Sequence, residues 1–169
     1  MTTSLQGHVT TTTMDSPIGV LTLAARDGLL VGVHMEAQRH PPTGTEHWHR
    51  DDVAFGEVIP QLRAYFAGEL REFDLPLELN GTPFQCRVWS ALREIPYGST
   101  ISYGELARRV GNERASRAVG LANGRNPVSI VVPCHRVIGA DGSLTGYGGG
   151  LDRKSWLLAH ELEHGKIPS

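Results

Sequence analysis

Cys134 and His135 place a thiol beside an imidazole, and Arg136 adds a fixed positive charge next to them. A free cysteine titrates near about 8.5, so its sulfur is a weak nucleophile at neutral pH unless a base or a cation favours the thiolate. His135 is a base of the right type, and Arg136 a cation. On an extended strand neighbouring side chains point to opposite faces, so the pair cooperates only where the chain bends or a water bridges them. A cysteine buried for packing alone is the competing reading. Glu161 is the next candidate. At helical spacing it shares a face with Lys154, Leu157 and Leu158, and a carboxylate on a leucine-lined face demands a partner. The second cysteine, Cys86, lies off the apolar stripe of its helix and reads as a tolerated neutral residue. His34, His40, His47 and His49 raise the question of a metal, but no cysteine or paired ligand spacing accompanies them, so a solvated loop is expected and no metal.

Several elements must deliver these groups. Val128, Ile130, Val131 and Val132 form a β-branched run that predicts a buried strand ending at Pro133, Cys134 and His135. Thr82 and Pro83 open a helix whose stripe is Phe84, Val88, Ala91, Leu92 and Ile95, stopped by Pro96. Ser102 and Glu105 have capping-box spacing, which predicts a helix from Tyr103 to about Val110, ended by Gly111. A second helix follows Asn112 with Ala115, Ala118, Val119 and Ala122 inward and Arg117, Gly120, Leu121 and Gly124 outward. Two short helices across a tight turn make a helix-turn-helix. Its outer face carries small residues and one arginine rather than the long polar side chains of a major-groove reader. That suits close, sequence-independent approach to a minor groove, with Arg108, Arg109, Arg114 and Arg125 for phosphates. Beyond a turn at 140–143, the glycines of Gly146–Gly150 allow close backbone approach to a ligand, with Tyr147 as a wall for a flat base. The last helix runs from Leu151 to about Glu163.

The first eighty residues read as an α+β unit. Val9–Met14, Ile18–Ala25 and Leu29–Met35 are β-prone runs separated by turn residues, which predicts an antiparallel meander. A polar Pro- and His-containing loop covers 36–51. Asp52 caps a helix with Phe55, Val58, Ile59, Leu62 and Phe66 inward, Pro60 implying a kink or a late start. Phe73, Leu75, Leu77 and Leu79 alternate as an edge strand would, and Gly81 marks the boundary. The expected domains are therefore 1–80 and 81–169. The chain of 169 residues is 40% hydrophobic with net charge −2, but the halves differ. Residues 1–80 hold 5 Lys/Arg against 11 Asp/Glu, and residues 81–169 hold 11 against 7. Only the second half suits a polyanion, through a local, salt-sensitive patch. No apolar run approaches the roughly eighteen residues of a membrane span, no secretory pattern opens the chain, and two cysteines do not make a disulfide framework. A cytoplasmic, reducing location is expected.

Five segments, SYGELA at 102–107, RAVGLANGRNP at 117–127, PCHRVIG at 133–139, GYGGG at 146–150 and WLLAHE at 156–161, occur in one order, with a looser match at DSPIG, 15–19. Together they resemble the O6-alkylguanine-DNA alkyltransferases. The resemblance implies a ribonuclease H-like first domain of antiparallel sheet and helix, and a helical, winged helix-turn-helix second domain carrying the active site. It implies irreversible, one-time transfer of an alkyl group from O6-alkylguanine, and secondarily O4-alkylthymine, to Cys134, with no metal or organic cofactor. His135, held by Glu161, would take the thiol proton through a water, and Asn126 would hold the turn that assembles them. Tyr103 would crowd the phosphate of the extruded nucleotide and donate a proton to the leaving base, while Arg117 fills the base stack. Ser102, Ala118, Gly120 and Arg125 complete the implied DNA contact; Tyr147, Val137, Gly148 and Ser143 complete the implied base pocket. The implied partner is double-stranded DNA, bound by a monomer with or without cooperative assembly along it. Some members carry a structural zinc in the first domain, but the cysteines it needs are missing from this chain. Two rival readings are a cysteine hydrolase built on Cys134, His135 and Glu161, and a binder of alkylated DNA that performs no chemistry.

Overall fold

The computed structural model describes residues 8–144 and 146–165. Three strands open the chain, β1 (Thr10–Met14), β2 (Leu21–Arg26) and β3 (Leu29–Met35), paired antiparallel as the alternating sequence predicts. Asp27 and Gly28, both at positive φ, make the two-residue turn between β2 and β3. A short strand, β4 (His49–Arg50), pairs parallel to β1 and gives the sheet order β3-β2-β1-β4. The polar loop at 36–51 was expected to hold no strand; β4 is too short and too exposed to leave a hydrophobic signature.

The sheet buries Leu21, Leu23, Leu30 and Val33 against Phe55 and the inner face of α1 (Val58–Phe66). Helical structure begins earlier than α1. Asp51, not Asp52, accepts from the Val53 N–H and opens a 3-10 turn at Asp52–Phe55, and Pro60 falls in the first turn of the late-starting α1. Asp52 instead accepts from the buried Thr12 hydroxyl at 2.6 Å. The inner face of α1 is Val58, Leu62 and Tyr65.

The edge strand expected at 73–79 is not formed. Only Leu77 pairs, with Leu30, because Pro76 brings a carbonyl but no N–H to a ladder.

The second half is helical: α2 (Pro83–Leu92), α3 (Tyr103–Arg109), α4 (Ser116–Gly124) and α5 (Leu151–His164), with a two-residue parallel pair of β5 (Ile101–Ser102) and β6 (Val137–Ile138). Thr82 and Gln85 form a reciprocal capping box on α2. Ser102 caps α3 by accepting from the Glu105 N–H at 3.0 Å, but the Glu105 carboxylate turns to Arg108 and Arg109 rather than back to the cap. Trp89 of α2 is buried and donates its indole N–H to the Ala122 carbonyl of α4 at 2.8 Å, which fixes the angle between the two helices. Ala118 leaves the inward stripe expected of α4 and lies exposed; Val119, Ala122 and Asn123 are the buried set.

The strand expected at Val128–Val132 is a compact turn. Val128 makes a single parallel bridge to Val33, and the run then closes on itself: the Val132 N–H bonds the Val128 carbonyl at 2.9 Å, while Asn126 donates from Nδ2 to the Val132 carbonyl at 2.7 Å and accepts the Val128 N–H on Oδ1 at 3.0 Å. Ile130 sits at φ 75, a conformation costly for a β-branched residue. The apolar run is buried as expected, but a buried turn and a buried strand share that pattern. We predict that Trp89→Phe, which removes the α2–α4 hydrogen bond and part of the ring volume, lowers unfolding stability by about 1–3 kcal/mol in urea denaturation.

Candidate active site

The chain bends where the chemistry requires it. Cys134–Arg136 is a single 3-10 turn, with the Cys134 N–H on the Val132 carbonyl at 2.8 Å. Cys134, His135 and Arg136 are all buried. His135 Nε2 lies 2.7 Å from Glu161 Oε2. An ionised carboxylate only accepts, so Nε2 carries the proton, and Nδ1 keeps a lone pair. Among the described residues no group pairs with that buried Nδ1.

Glu161 collects more donors than the sequence suggested. Arg136 reaches it with Nε at 2.8 Å and Nη2 at 2.9 Å, Tyr65 donates its hydroxyl at 2.6 Å, and the Gly98 N–H lies at 3.3 Å. Burial alone would raise the Glu161 pKa, but His135 and Arg136 together hold the carboxyl well below its ordinary range. Burial lowers the His135 pKa against the pull of Glu161, so the imidazole rests neutral. Arg136 therefore serves Glu161; the sequence had placed its charge on the thiol.

Burial also pushes the Cys134 thiol up to about 11, opposed by the Asn126 side chain and by Lys154. Desolvation thus disfavours the thiolate, and a base that takes the proton is needed to form it. Lys154 is fully buried on α5, with Nζ 5.8 Å from the centre of the Tyr103 ring, and its own pKa falls to about 8 through burial.

Cys134 lines a cavity of about 580 Å³ together with Asn123, Arg125, Asn126, Tyr147 and Gly148. The loop expected to be solvated contributes Gln38, Pro42 and Trp48 to the lining, along with the half-buried His34, whose pKa is lowered to about 4 by desolvation. Loop and sheet are fastened to the second half. Val33 N–H bonds the Pro127 carbonyl at 3.0 Å, Arg39 N–H the Gly148 carbonyl at 2.7 Å, and Arg153 the Ile18 and Glu36 carbonyls.

A second depression, of about 460 Å³, is lined by Tyr103, Arg117, Gly120, Leu121 and Gly146 and meets the first at Gly124 and Gly148. Gly146, at φ 66, lies so close to Tyr103 that a Cβ there would stand 3.1 Å from the hydroxyl. Arg117, Ala118 and Arg125 are exposed on or just beyond α4, while Arg108 and Arg109 are tied to Glu105. The structure thus brings together Cys134, His135, Glu161 and Asn126 on one side, and Tyr103, Arg117 and Gly120 on the other. Val137 is fully buried in β6 and Ser143 exposed in its turn, and neither lines the two cavities; Ser102 serves as the α3 cap.

Sequence reasoning passed over Tyr65, although Val58, Leu62 and Tyr65 have the i, i+4, i+7 spacing of one face. It also passed over Asn123, whose Nδ2 donates to the Cys134 carbonyl at 3.2 Å. Among the described residues no group of three or more His, Cys, Asp or Glu side chains is placed to hold a metal ion, and no helix is long and apolar enough to cross a membrane.

Tyr65→Phe removes one donor to an ionised, buried carboxylate, a loss of about 1.5–3 kcal/mol at pH 7. The Glu161 pKa is depressed in the fold, so its contribution is fully present above the unfolded value near 4.5 and is lost as pH falls through the folded one. The unfolded value is common to both chains, so the penalty of Tyr65→Phe, measured by urea unfolding, is expected to stay level from pH 7 to 4.5 and to shrink only as pH falls into the range where the folded carboxylate is protonated; a penalty that already falls between pH 7 and 5 would contradict an ionised Glu161.

Known proteins share this sequence and fold. Residues 9–79 match the family model described as 6-O-methylguanine DNA methyltransferase, ribonuclease-like domain, and residues 83–163 match that of the DNA binding domain. The methylated-DNA--protein-cysteine methyltransferase of Mycolicibacterium paratuberculosis is 60% identical over 152 residues, 90% of this chain and 92% of that protein. The crystal structure of Mycobacterium tuberculosis O6-methylguanine methyltransferase is 55% identical and superposes with a TM-score of 0.88, covering 95% of this chain and 96% of the other. The same organism's OGT in complex with DNA gives a TM-score of 0.89 at 56% identity, over 92% and 94% of the two chains. Both halves of the sequence and the whole architecture thus lead to one conclusion: the chain belongs to the 6-O-methylguanine DNA methyltransferase family.

Proposed function

We propose that Cys134 is the alkyl acceptor through which this chain carries out its family's repair reaction on DNA. The observation that carries the assignment is geometric. Cys134, on the wall of the 580 Å³ cavity, stands directly before a histidine whose Nε2 is held by a buried carboxylate, and that cavity meets the outer face of α4 at Gly124. The sulfur attacks the alkyl carbon of O6-alkylguanine, the S–C bond forms, the C–O6 bond breaks, and its electron pair leaves with O6. The thiol proton passes to His135 Nδ1 through a water, and the imidazolium formed is stabilised by Glu161. Guanine leaves poorly as an anion, and Tyr103 supplies a proton at N3. The product is a thioether without a carbonyl for water to attack, so each molecule acts once.

Burial raises the thiol pKa, so the transfer of its proton to His135 is a required part of the reaction. O6 of guanine lies within the duplex, beyond reach of a cysteine in a buried turn, and the base must be flipped at a cost of a few kcal/mol. Arg117, exposed on α4, enters the stack in its place, and Tyr103 crowds the phosphate. The small residues Ala118 and Gly120 allow α4 to approach a minor groove without reading sequence, with Ser102 and Arg125 on the backbone. Tyr147 and Gly148 wall the base. Asn126 holds the catalytic turn, and division near Gly81 leaves the first half as its support. The protein works as a monomer in a reducing, cytoplasmic setting.

Incubation with a duplex containing O6-methylguanine, followed by intact mass and peptide mapping, is expected to add one methyl group, on Cys134, and none in Cys134→Ser. Repeated release of guanine without added mass would instead indicate a hydrolase. Arg117→Ala is expected to slow duplex repair about tenfold or more while sparing transfer from a free O6-benzylguanine base, as loss of a flipping aid predicts; equal losses on both substrates would refute that role.

A further inference from the structure

Asn123 has no part in the chemistry above, yet it is 1% exposed and lines the Cys134 cavity. Its amide orientation is fixed by a bond: only the nitrogen end can donate to the Cys134 carbonyl at 3.2 Å. The oxygen end is left over. Among the described residues Asn123 Oδ1 is buried with no hydrogen-bond partner, whereas both ends of the neighbouring Asn126 amide are engaged. A buried carbonyl without a donor is costly, and a cavity with such a residue in its lining gains by binding a ligand that brings a donor.

The alkylated bases differ in that respect. O6-alkylguanine has lost its N1 proton and keeps one donor on its ring system, the exocyclic amino group at C2. O4-alkylthymine and O6-alkylhypoxanthine have none. We propose that Asn123 is a substrate-reading residue, its amide oxygen accepting a hydrogen bond from the guanine amino group, so that the cavity favours alkylated guanine over alkylated bases lacking that group. The proposal rests on the reading that the lesion enters the Cys134 cavity. The nitrogen end of the same amide ties α4 to the nucleophile's peptide, so one side chain registers the base against the sulfur. A hydrophobic pocket separates similar substrates weakly, whereas a buried acceptor left unpaired by the wrong substrate separates them strongly.

The test is a cycle between protein and substrate. Single-turnover rates are measured for O6-methylguanine and O6-methylhypoxanthine in one oligonucleotide context, with the natural chain, Asn123→Leu and Asn123→Asp. Differences in pairing and flipping between the two lesions cancel in the ratio of ratios. The natural chain is expected to favour the guanine lesion by about tenfold or more. Asn123→Leu, which removes the acceptor, is expected to bring that preference close to one. Asn123→Asp keeps an acceptor but loses the donor to Cys134, and is expected to be slower on both lesions with the preference retained. If Asn123→Leu slows both lesions by the same factor, or the natural chain shows no preference, Asn123 is a structural anchor only and the proposal is overturned. Absence of methyl on Cys134 with any substrate would instead overturn the underlying cavity reading. Should Asn123→Leu fail to fold, the natural chain's preference and that of Asn123→Asp still decide.

Discussion

A carboxylate removed from water is the constraint around which this molecule is arranged. Glu161 is fully buried, and its oxygens are met by Tyr65 from the first half and by His135, Arg136 and Gly98 from the second. Burying a charge is expensive, and the cost is tolerable only when donors surround it. Buried ion pairs contribute little net stability over apolar packing, so the return here is geometric: one carboxylate sets the ring of His135, the guanidinium of Arg136 and the approach of α5 to α1. The sheet domain, through Tyr65 and the Val33–Pro127 bond, is part of that frame.

The same low-polarity surroundings explain the state of the sulfur. A buried thiol resists ionisation, and Lys154 and the Asn126 side chain only partly offset this. Strain belongs to the same design. Ile130 at positive φ lies four residues before Cys134, in a turn closed by the Asn126 amide, and such conformations persist only where the surroundings enforce them.

Much of this was legible in the sequence, and the misses have physical causes. The three β-prone runs, the caps at Thr82 and Ser102 and the helix pair α3–α4 follow local rules of alternation and capping, and they formed, although Glu105 leaves its half of the expected capping box and Ala118 the expected inward stripe. The Val128–Val132 run closed into a turn held by its own backbone and by the Asn126 side chain, and burial pattern alone does not separate such a turn from a strand. Arg136 was read as a helper of the neighbouring thiol, but a 3-10 turn aims it at a residue 25 positions away. Tyr65 and Asn123 were missed because their partners, Glu161 and the Cys134 carbonyl, are brought to them only by tertiary packing. The walls that the loop at 36–51 supplies to the cavity were hidden for the same reason.

The central claim is that the ionised Glu161 holds His135 with its proton on Nε2, leaving Nδ1 to accept the thiol proton. Nitrogen-15 NMR of histidine-labelled protein at pH 7 reads the tautomer directly. The expected result for His135 is a protonated Nε2 and a bare, pyridine-like Nδ1 that persist until well below pH 6.5, since burial lowers its pKa. A proton on Nδ1, or an imidazolium at pH 7, would contradict the account.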